Sequence, residues 1–197
     1  DNILELLDNK IICNHMHIPL QSGSDKVLKL MNRKYNKKEY KEKIEKIRNK
    51  RPDISITTDI IVGFPNETDD DFKECLNFAK EIKFSKIHVF PYSKRNGTKA
   101  ARMSGHIDGI TKKKRTKELL ELSEELEQNY YKSFIGKKEK ILIEENKQNY
   151  SYGHTTNYLY LKLKGNYKKN EIYDIIIKED MFQNNNWNIN LNYVIII

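Results

Sequence analysis

From Ile54 to Val62 the chain is β-branched and almost wholly apolar, with no amphipathic helical period. That pattern predicts a strand buried on both faces, as in a parallel sheet packed between helices. Gly63 and Pro65 stop it. Thr68, followed by Asp69, Asp70 and Asp71, then opens a helix with an N-cap and acidic residues at the positive dipole end, running to about residue 82. Upstream, residues 3–10 read as the end of a helix. Ile11 to Leu20 reads as a strand in which His15, His17 and Pro19 alternate with Met16, Ile18 and Leu20. Gln21-Ser22-Gly23-Ser24 is a polar turn, and Ser24 is read as the cap of a helix ending near Met31. A second helix runs from Asn36 or Lys37 to Arg51, with Tyr40, Ile44 and Ile47 at helical spacing. A further strand follows from Lys86 to Tyr92. The order β, α, β, α, β with long connections calls for right-handed parallel crossovers.

Beyond a loop from Ser93 to Ile110, Leu119, Leu122, Leu126, Tyr130 and Phe134 stripe one face of a long helix, about Thr111 to Phe134. Short alternating stretches at 140–144, 158–164 and 171–178 then predict a small antiparallel barrel or sandwich. The expected division is 1–110 as a partial (β/α) barrel, 111–134 as a linker helix, 135–180 as a small all-β module, and 181–197 as an Asn-rich β tail. The fold class is thus α/β with an appended all-β domain. Three strands cannot close a parallel barrel, so the first domain is either a small open α/β unit or the second half of a larger barrel, and the start at Asp1 favours the second.

Charge and cysteines narrow the picture. The net charge is +8, and residues 25–51 alone hold twelve Lys or Arg against four Asp or Glu. A second basic set runs from Lys94 to Lys117. Basic faces of this kind attract polyanions such as nucleic acid. Lys112, Lys113, Lys114 and Arg115 open a helix, where the dipole disfavours cations; a phosphate partner or a plain solvated start both account for that. No apolar run is long enough to cross a bilayer, and no signal peptide is evident, so a cytoplasmic protein without a membrane partner is expected. Cys13 and Cys75 stand 62 positions apart, which is no metal-ligand spacing. His15, His17 and His88 read as satisfied interior histidines.

Each strand ends in a polar loop on one edge of the sheet, where α/β folds bind ligands. Gln21 and Ser22, Gly63 and Glu67, and Tyr92 and Arg95 are the candidate cofactor residues, with Asp59 as a polar group inside the sheet. Glu67 is equally readable as a helix-start carboxylate. Tyr152 and Tyr158 are read as base-stacking residues, and Tyr160 as a core residue.

The strings His17-Ile-Pro-Leu-Gln-Ser-Gly-Ser-Asp25, Thr57-Thr-Asp-Ile-Ile-Val-Gly-Phe-Pro65 and His88-Val-Phe-Pro-Tyr-Ser-Lys-Arg95 resemble, in order, the fourth, fifth and sixth strand regions of radical-SAM methylthiotransferases. Gly153-His154-Thr155-Thr156-Asn157-Tyr158 resembles a string of the RNA-binding TRAM module. The third string is most similar to the branch acting on threonylcarbamoyladenosine in tRNA. The resemblance implies a barrel that binds S-adenosylmethionine and, in the full-length family, two 4Fe–4S clusters. It also implies tRNA as partner, a missing N-terminal half, and transfer of a methylthio group to C2 of an adenosine. RNA contacts would fall on Lys112, Lys113, Arg115, Tyr152, His154, Asn157 and Tyr158. The family's three-cysteine motif is absent, so the chain alone is expected to hold no cluster and to be inactive. The alternatives are a cluster-free RNA-binding protein and the isopentenyladenosine-specific sister enzyme.

Overall fold

The computed structural model describes residues 2–182. The described residues divide into two compact units, residues 2–134 with 156–159, and residues 135–155 with 160–182. The expected β tail at 181–197 lies almost entirely outside the described residues.

In the first unit, α1 (Asn2–Leu6) precedes three parallel strands, β1 (His15–His17), β2 (Ser55–Val62) and β3 (Lys86–Pro91), in that spatial order. α2 (Asp25–Leu30) and α3 (Lys37–Lys50) form the first crossover and α4 (Asp69–Ile82) the second. α3 begins with a capping box made by Asn36 and Glu39, and α4 with one made by Thr68 and Asp71. Ile56, Ile60 and Val62 of β2 pack with Tyr40, Ile44 and Ile47 of α3 and Phe72, Phe78 and Ala79 of α4 in one core. The opposite face of β2 carries Thr57, Asp59 and Ile61, of which Asp59 and Ile61 are only half-buried. The strand is therefore buried fully on one face, not on both. Its alternation is masked in the sequence because Thr and Ile are both β-branched.

After the short α5 (Lys99–Arg102), the long helix α6 (Gly109–Lys132) belongs to the first unit and does not serve as a free linker. Leu119, Leu122 and Leu126 enter the same core. The Ser123 hydroxyl accepts from Ile87 N (3.0 Å) and lies 3.2 Å from Ile87 O, so a helix side chain answers backbone groups of the edge strand β3.

Asp71 staples two strand-end loops together. Its carboxylate accepts from Ser24 Oγ (3.0 Å), Lys26 Nζ (2.6 Å) and the Thr68 N–H (2.8 Å). Ser24 occupies the N-cap position of α2 but makes no side-chain cap bond, because its hydroxyl is spent on Asp71. Burial alone would raise the Asp71 carboxyl; the bonds from Lys26, Thr68 and Ser24 outweigh it and hold the group at about 2. A depressed folded pKa gives stability that is full above the unfolded value of about 3.9 and is lost as pH falls through about 2. Asp71→Asn is expected to cost about 2 kcal/mol near neutral pH. In urea titrations the gap to wild type should close between about pH 4 and pH 2; a gap independent of pH would disprove the charge argument.

The second unit is a four-stranded antiparallel sheet of β4 (Lys138–Lys147), β5 (Tyr150–Thr155), β6 (Tyr160–Lys164) and β7 (Ile172–Ile176), in the order β6-β5-β4-β7. β5 is a strand that the hydrophobic pattern misses, because its buried positions are Ser151, Gly153 and Thr155. A small antiparallel barrel or sandwich was expected; the described strands form one four-stranded antiparallel sheet.

Candidate functional site

The three parallel strands deliver their ends to one edge. The ladder continues past β1, with Gln21 N donating to Asp59 O (2.8 Å) and Ile61 N donating to Gln21 O (2.9 Å). Gln21 holds a left-handed φ of 71°. Tyr92 N donates to Val62 O (2.8 Å) in the same way. Gln21, Gly63 and Tyr92 thus stand side by side, as the sequence predicts, because parallel strands leave their carboxyl ends in one row.

The residues at this edge divide into those already committed and those still open. Gly63 N donates to Glu67 Oε1 (2.9 Å), and Glu67 in turn receives Arg115 Nη1 at 2.6 Å. Arg115 also bonds Asp69 (2.7 Å) and lies over the Phe72 ring at 5.6 Å. The Glu67 and Arg115 side chains are 4% and 6% exposed, so this is a buried pair. Burial pushes the Glu67 carboxyl up, against the pull of Gly63 and Arg115. Arg115 was expected on an RNA-facing surface and Glu67 beside a cofactor; both are instead locked together, which removes them from solvent. Lys112 is likewise turned inward, its Nζ donating to Tyr92 O (3.2 Å). Its stem fills the space above Gly63, where a Cβ would meet Lys112 Cγ at 2.3 Å. The Gly63 position, with φ at 72°, serves this close approach by α6.

Tyr92 remains open chemically. Its ring meets Phe64 edge-on at 5.2 Å and His106 at 6.0 Å, while its hydroxyl is buried with no hydrogen-bond partner among the described residues. Ser22 is buried, its Oγ accepting from Ser24 N (3.2 Å). Arg95 is exposed on the loop after β3.

Below the edge, the partly open face of the sheet carries a polar row. His15 Nε2 and His17 Nδ1 lie 3.1 and 3.0 Å from Thr57 Oγ1, and His17 Nε2 lies 3.3 Å from Asp59. The His17 and His88 rings are 5.8 Å apart. Burial lowers the His88 pKa, with Asp59 pulling the other way. The histidines are satisfied in part by Thr57 and Asp59, and Asp59 finds in His17 the partner that a half-buried carboxylate needs.

In the second unit, Tyr150, Tyr152 and His154 alternate with buried residues and face the same side as Tyr160 and Lys162. The Tyr152 and Tyr160 rings are 6.1 Å apart, those of His154 and Tyr160 4.7 Å apart, and Lys162 Nζ sits 3.9 Å over Tyr150. His154 Nδ1 pairs with Glu144 (2.8 Å) and Tyr160 Oη donates to Glu145 (2.8 Å). Tyr160 is therefore a face residue and not a core one. The missed signal is the Tyr-Ser-Tyr-Gly-His-Thr alternation of large and small residues. Asn157 is buried, so its side chain is off the surface; Tyr158, grouped with the first unit, stacks on His15 at 4.4 Å.

A parallel α/β sheet with polar loops collected at its carboxyl edge is the arrangement on which α/β folds bind ligands. Residues 1–79 match the family model described as the Radical SAM superfamily. Among solved structures, the chain is similar to coproporphyrinogen III oxidase from Escherichia coli, titled a radical SAM enzyme. The TM-score is 0.52 at 14% identity, covering 82% of this chain and 43% of that one, a likeness of fold. It is 43% identical over 172 residues to the threonylcarbamoyladenosine tRNA methylthiotransferase of Bacillus subtilis (84% of this chain, 38% of the relative). It is 44% identical over 171 residues to the tRNA-2-methylthio-N(6)-dimethylallyladenosine synthase of Thermodesulfovibrio yellowstonii (86% and 40%). The chain belongs to the radical-SAM tRNA methylthiotransferase family. It spans about two fifths of the length of these relatives.

An iron–sulfur cluster needs thiolates, and the two here do not fit one. Cys13 is exposed, whereas Cys75 is buried, accepts from Gly23 N (3.1 Å), and has its thiol pushed up to about 12 by burial. Among the described residues no three His, Cys, Asp or Glu side chains gather to hold a metal ion. No helix among the described residues is long and apolar enough to cross a membrane.

Proposed function

We propose that this chain forms the C-terminal part of a tRNA methylthiotransferase acting at C2 of N6-threonylcarbamoyladenosine beside the anticodon. The observation that carries the reading is the run His88–Arg95 at the end of β3, combined with 43% identity to the Bacillus subtilis relative. S-adenosylmethionine would supply the methyl group and the radical. Within this chain Gln21, Ser22, Asp59, Tyr92 and Arg95 are the groups left to bind it, because Gly63 and Glu67 are engaged with Lys112 and Arg115. The unpartnered Tyr92 hydroxyl supports a polar ligand at this edge. Asp59, on the face with His17, suits a ribose hydroxyl or an ammonium group. Cluster ligands would come from sequence upstream of this chain, as in the full-length family. The outer face of the second unit, with Tyr152 and His154 and now Tyr150, Tyr160 and Lys162, would stack RNA bases.

A second reading, methylthiolation of isopentenyladenosine, is favoured by the 44% identity to the dimethylallyladenosine enzyme of Thermodesulfovibrio yellowstonii. One experiment separates the two. This chain replaces the matching region of the Bacillus subtilis enzyme in cells lacking that enzyme, and tRNA nucleosides are analysed by mass spectrometry. Appearance of 2-methylthio-N6-threonylcarbamoyladenosine is the expected result; its absence, or the isopentenyl product instead, overturns the first reading. In the same chimera, Tyr92→Phe should reduce the product about tenfold if the buried hydroxyl binds a reactant, in line with about 1.4 kcal/mol for one lost hydrogen bond.

A further inference from the structure

Residues 93–117 hold nine Lys or Arg and one Asp, so this tract matches the +8 net charge of the whole chain. The structure sorts these cations. Arg115 and Lys112 are consumed inside the fold, and Lys117 lies 3.7 Å from Glu121. Lys94, Arg95, Lys99, Arg102, Lys113 and Lys114 are exposed and form no ion pair among the described residues. The one acid, Asp108, is spent capping Thr111 N (2.8 Å). Asp70, at the start of α4, is the exposed carboxylate left on this edge, since Asp69 is bonded to Arg115.

The tract does not wander from the sheet edge. Tyr92 N is tied to Val62, and Lys112 returns to Tyr92 O. Between them Asn66 N donates to Gly105 O (2.8 Å) and Asn66 Nδ2 donates to Ser104 O (3.0 Å). Asn66 adopts the left-handed φ of 66° that this double clasp uses. The clasp sets the exposed His106 ring nearly parallel to Tyr92, at 27°. Exposed cations in the same tract as an exposed flat ring suit a single-stranded nucleic acid: charges for phosphates and a face for a base. An acidic peptide or an anionic lipid surface would use the charges and leave the ring without a role.

We propose that the segment from Tyr92 to Lys114 is a rim that grips single-stranded RNA, with Lys94, Arg95, Lys99, Arg102, Lys113 and Lys114 on phosphates and His106 stacked on a base. This rests on the tRNA reading above and adds to it a second RNA contact, separate from the β-rich unit. The rim would present a loop nucleotide to the ligand groups at the strand ends.

Fluorescence anisotropy with the 197-residue chain and a labelled hairpin RNA with an adenosine-containing loop tests it. The triple variant Lys94→Glu, Arg95→Glu, Lys99→Glu is expected to weaken binding at least about tenfold at 0.1 M salt. It should also reduce the slope of log affinity against log salt by about 2, near 0.7 per phosphate contact. His106→Ala should lose about fivefold or more, and His106→Phe should retain most of the affinity, which separates stacking from charge. All the altered side chains are exposed, and circular dichroism verifies that the fold is kept. Wild-type affinity and salt slope in the triple variant would overturn the rim while leaving the chimera result untouched. A chain that binds no hairpin, or prefers phosphatidylserine vesicles to it, also overturns the rim, and the chimera then decides the enzyme assignment on its own.

Discussion

Arg115→Ala is expected to destabilise the first unit by about 3–5 kcal/mol, as for a buried ion pair left with one partner. The substitution strands the Glu67 carboxylate in a site where its side chain is 4% exposed, and also removes the guanidinium from Asp69 and from the face of Phe72. The pH dependence has a definite sign. Glu67 already has its pKa raised by burial, and Arg115 is one of the groups pulling it back. Without Arg115 the carboxyl rises further. An acid whose folded pKa lies above its unfolded value favours the fold while protonated and weakens it as pH climbs through the folded pKa. The variant should therefore recover part of its loss as pH falls from neutrality toward the unfolded carboxyl value of about 4.3, whereas wild type should change less. Glu67→Gln in the Arg115→Ala background should recover stability at high pH, since it removes the unpaired charge. Equilibrium urea unfolding across this pH range reads all three. A pH-independent loss would mean that packing on Phe72, not charge, is what Arg115 supplies.

The same pair explains how far a site can be read from a sequence. The edge of the sheet was legible: β-branched runs ending in Gly, Pro and amide residues place Gln21, Gly63 and Tyr92 in a row once the strands are parallel. Capping by Thr68 was legible too, because cap chemistry is local. What escaped was every role set by a partner distant in sequence. Glu67 lies 48 positions from Arg115 in the chain, and Lys112 covers Gly63 from a helix that looks like a linker. A basic run at a helix start reads as a surface, yet two of its members are turned inward by acceptors the sequence does not place nearby. Much of the basic excess of residues 25–51 goes the same way: Lys26 pairs with Asp71, Lys37 with Glu74, Lys41 with Glu81 and Lys50 with Asp8. Arg48 and Arg51 are spent on backbone carbonyls. Charge counts locate cations without saying which of them remain free, and it is the free ones of residues 93–117 that carry the RNA inference.

Gly153→Ala is expected to disrupt the second unit more than any other single methyl group. Gly153 sits in β5 opposite Ile143 of β4, where the ladder changes register before Glu145. A Cβ there would lie 1.8 Å from Leu142 O and 3.2 Å from Ile143 Cα. These are backbone atoms of the paired strand, so no rotamer change relieves the overlap, and the strands must separate. Overpacking of a core typically costs about 1–3 kcal/mol, and a clash with a paired backbone belongs at or above the top of that range. Slowed-exchange amides of β4 and β5 should lose protection, while those of β2 and α4 in the first unit should not. The outer face would fail with the pairing, because Tyr152 and His154 hold their common side only through the register that Gly153 permits. Gly109→Ala is the matching control: nothing lies within 4 Å of its Cβ, and it opens α6, so stability should be unchanged or raised by up to about 1 kcal/mol. If Gly153→Ala behaved like Gly109→Ala, the close approach of β5 to β4 would be wrong. The assignment of Tyr152, His154 and Tyr160 to one base-stacking face would then fall with it.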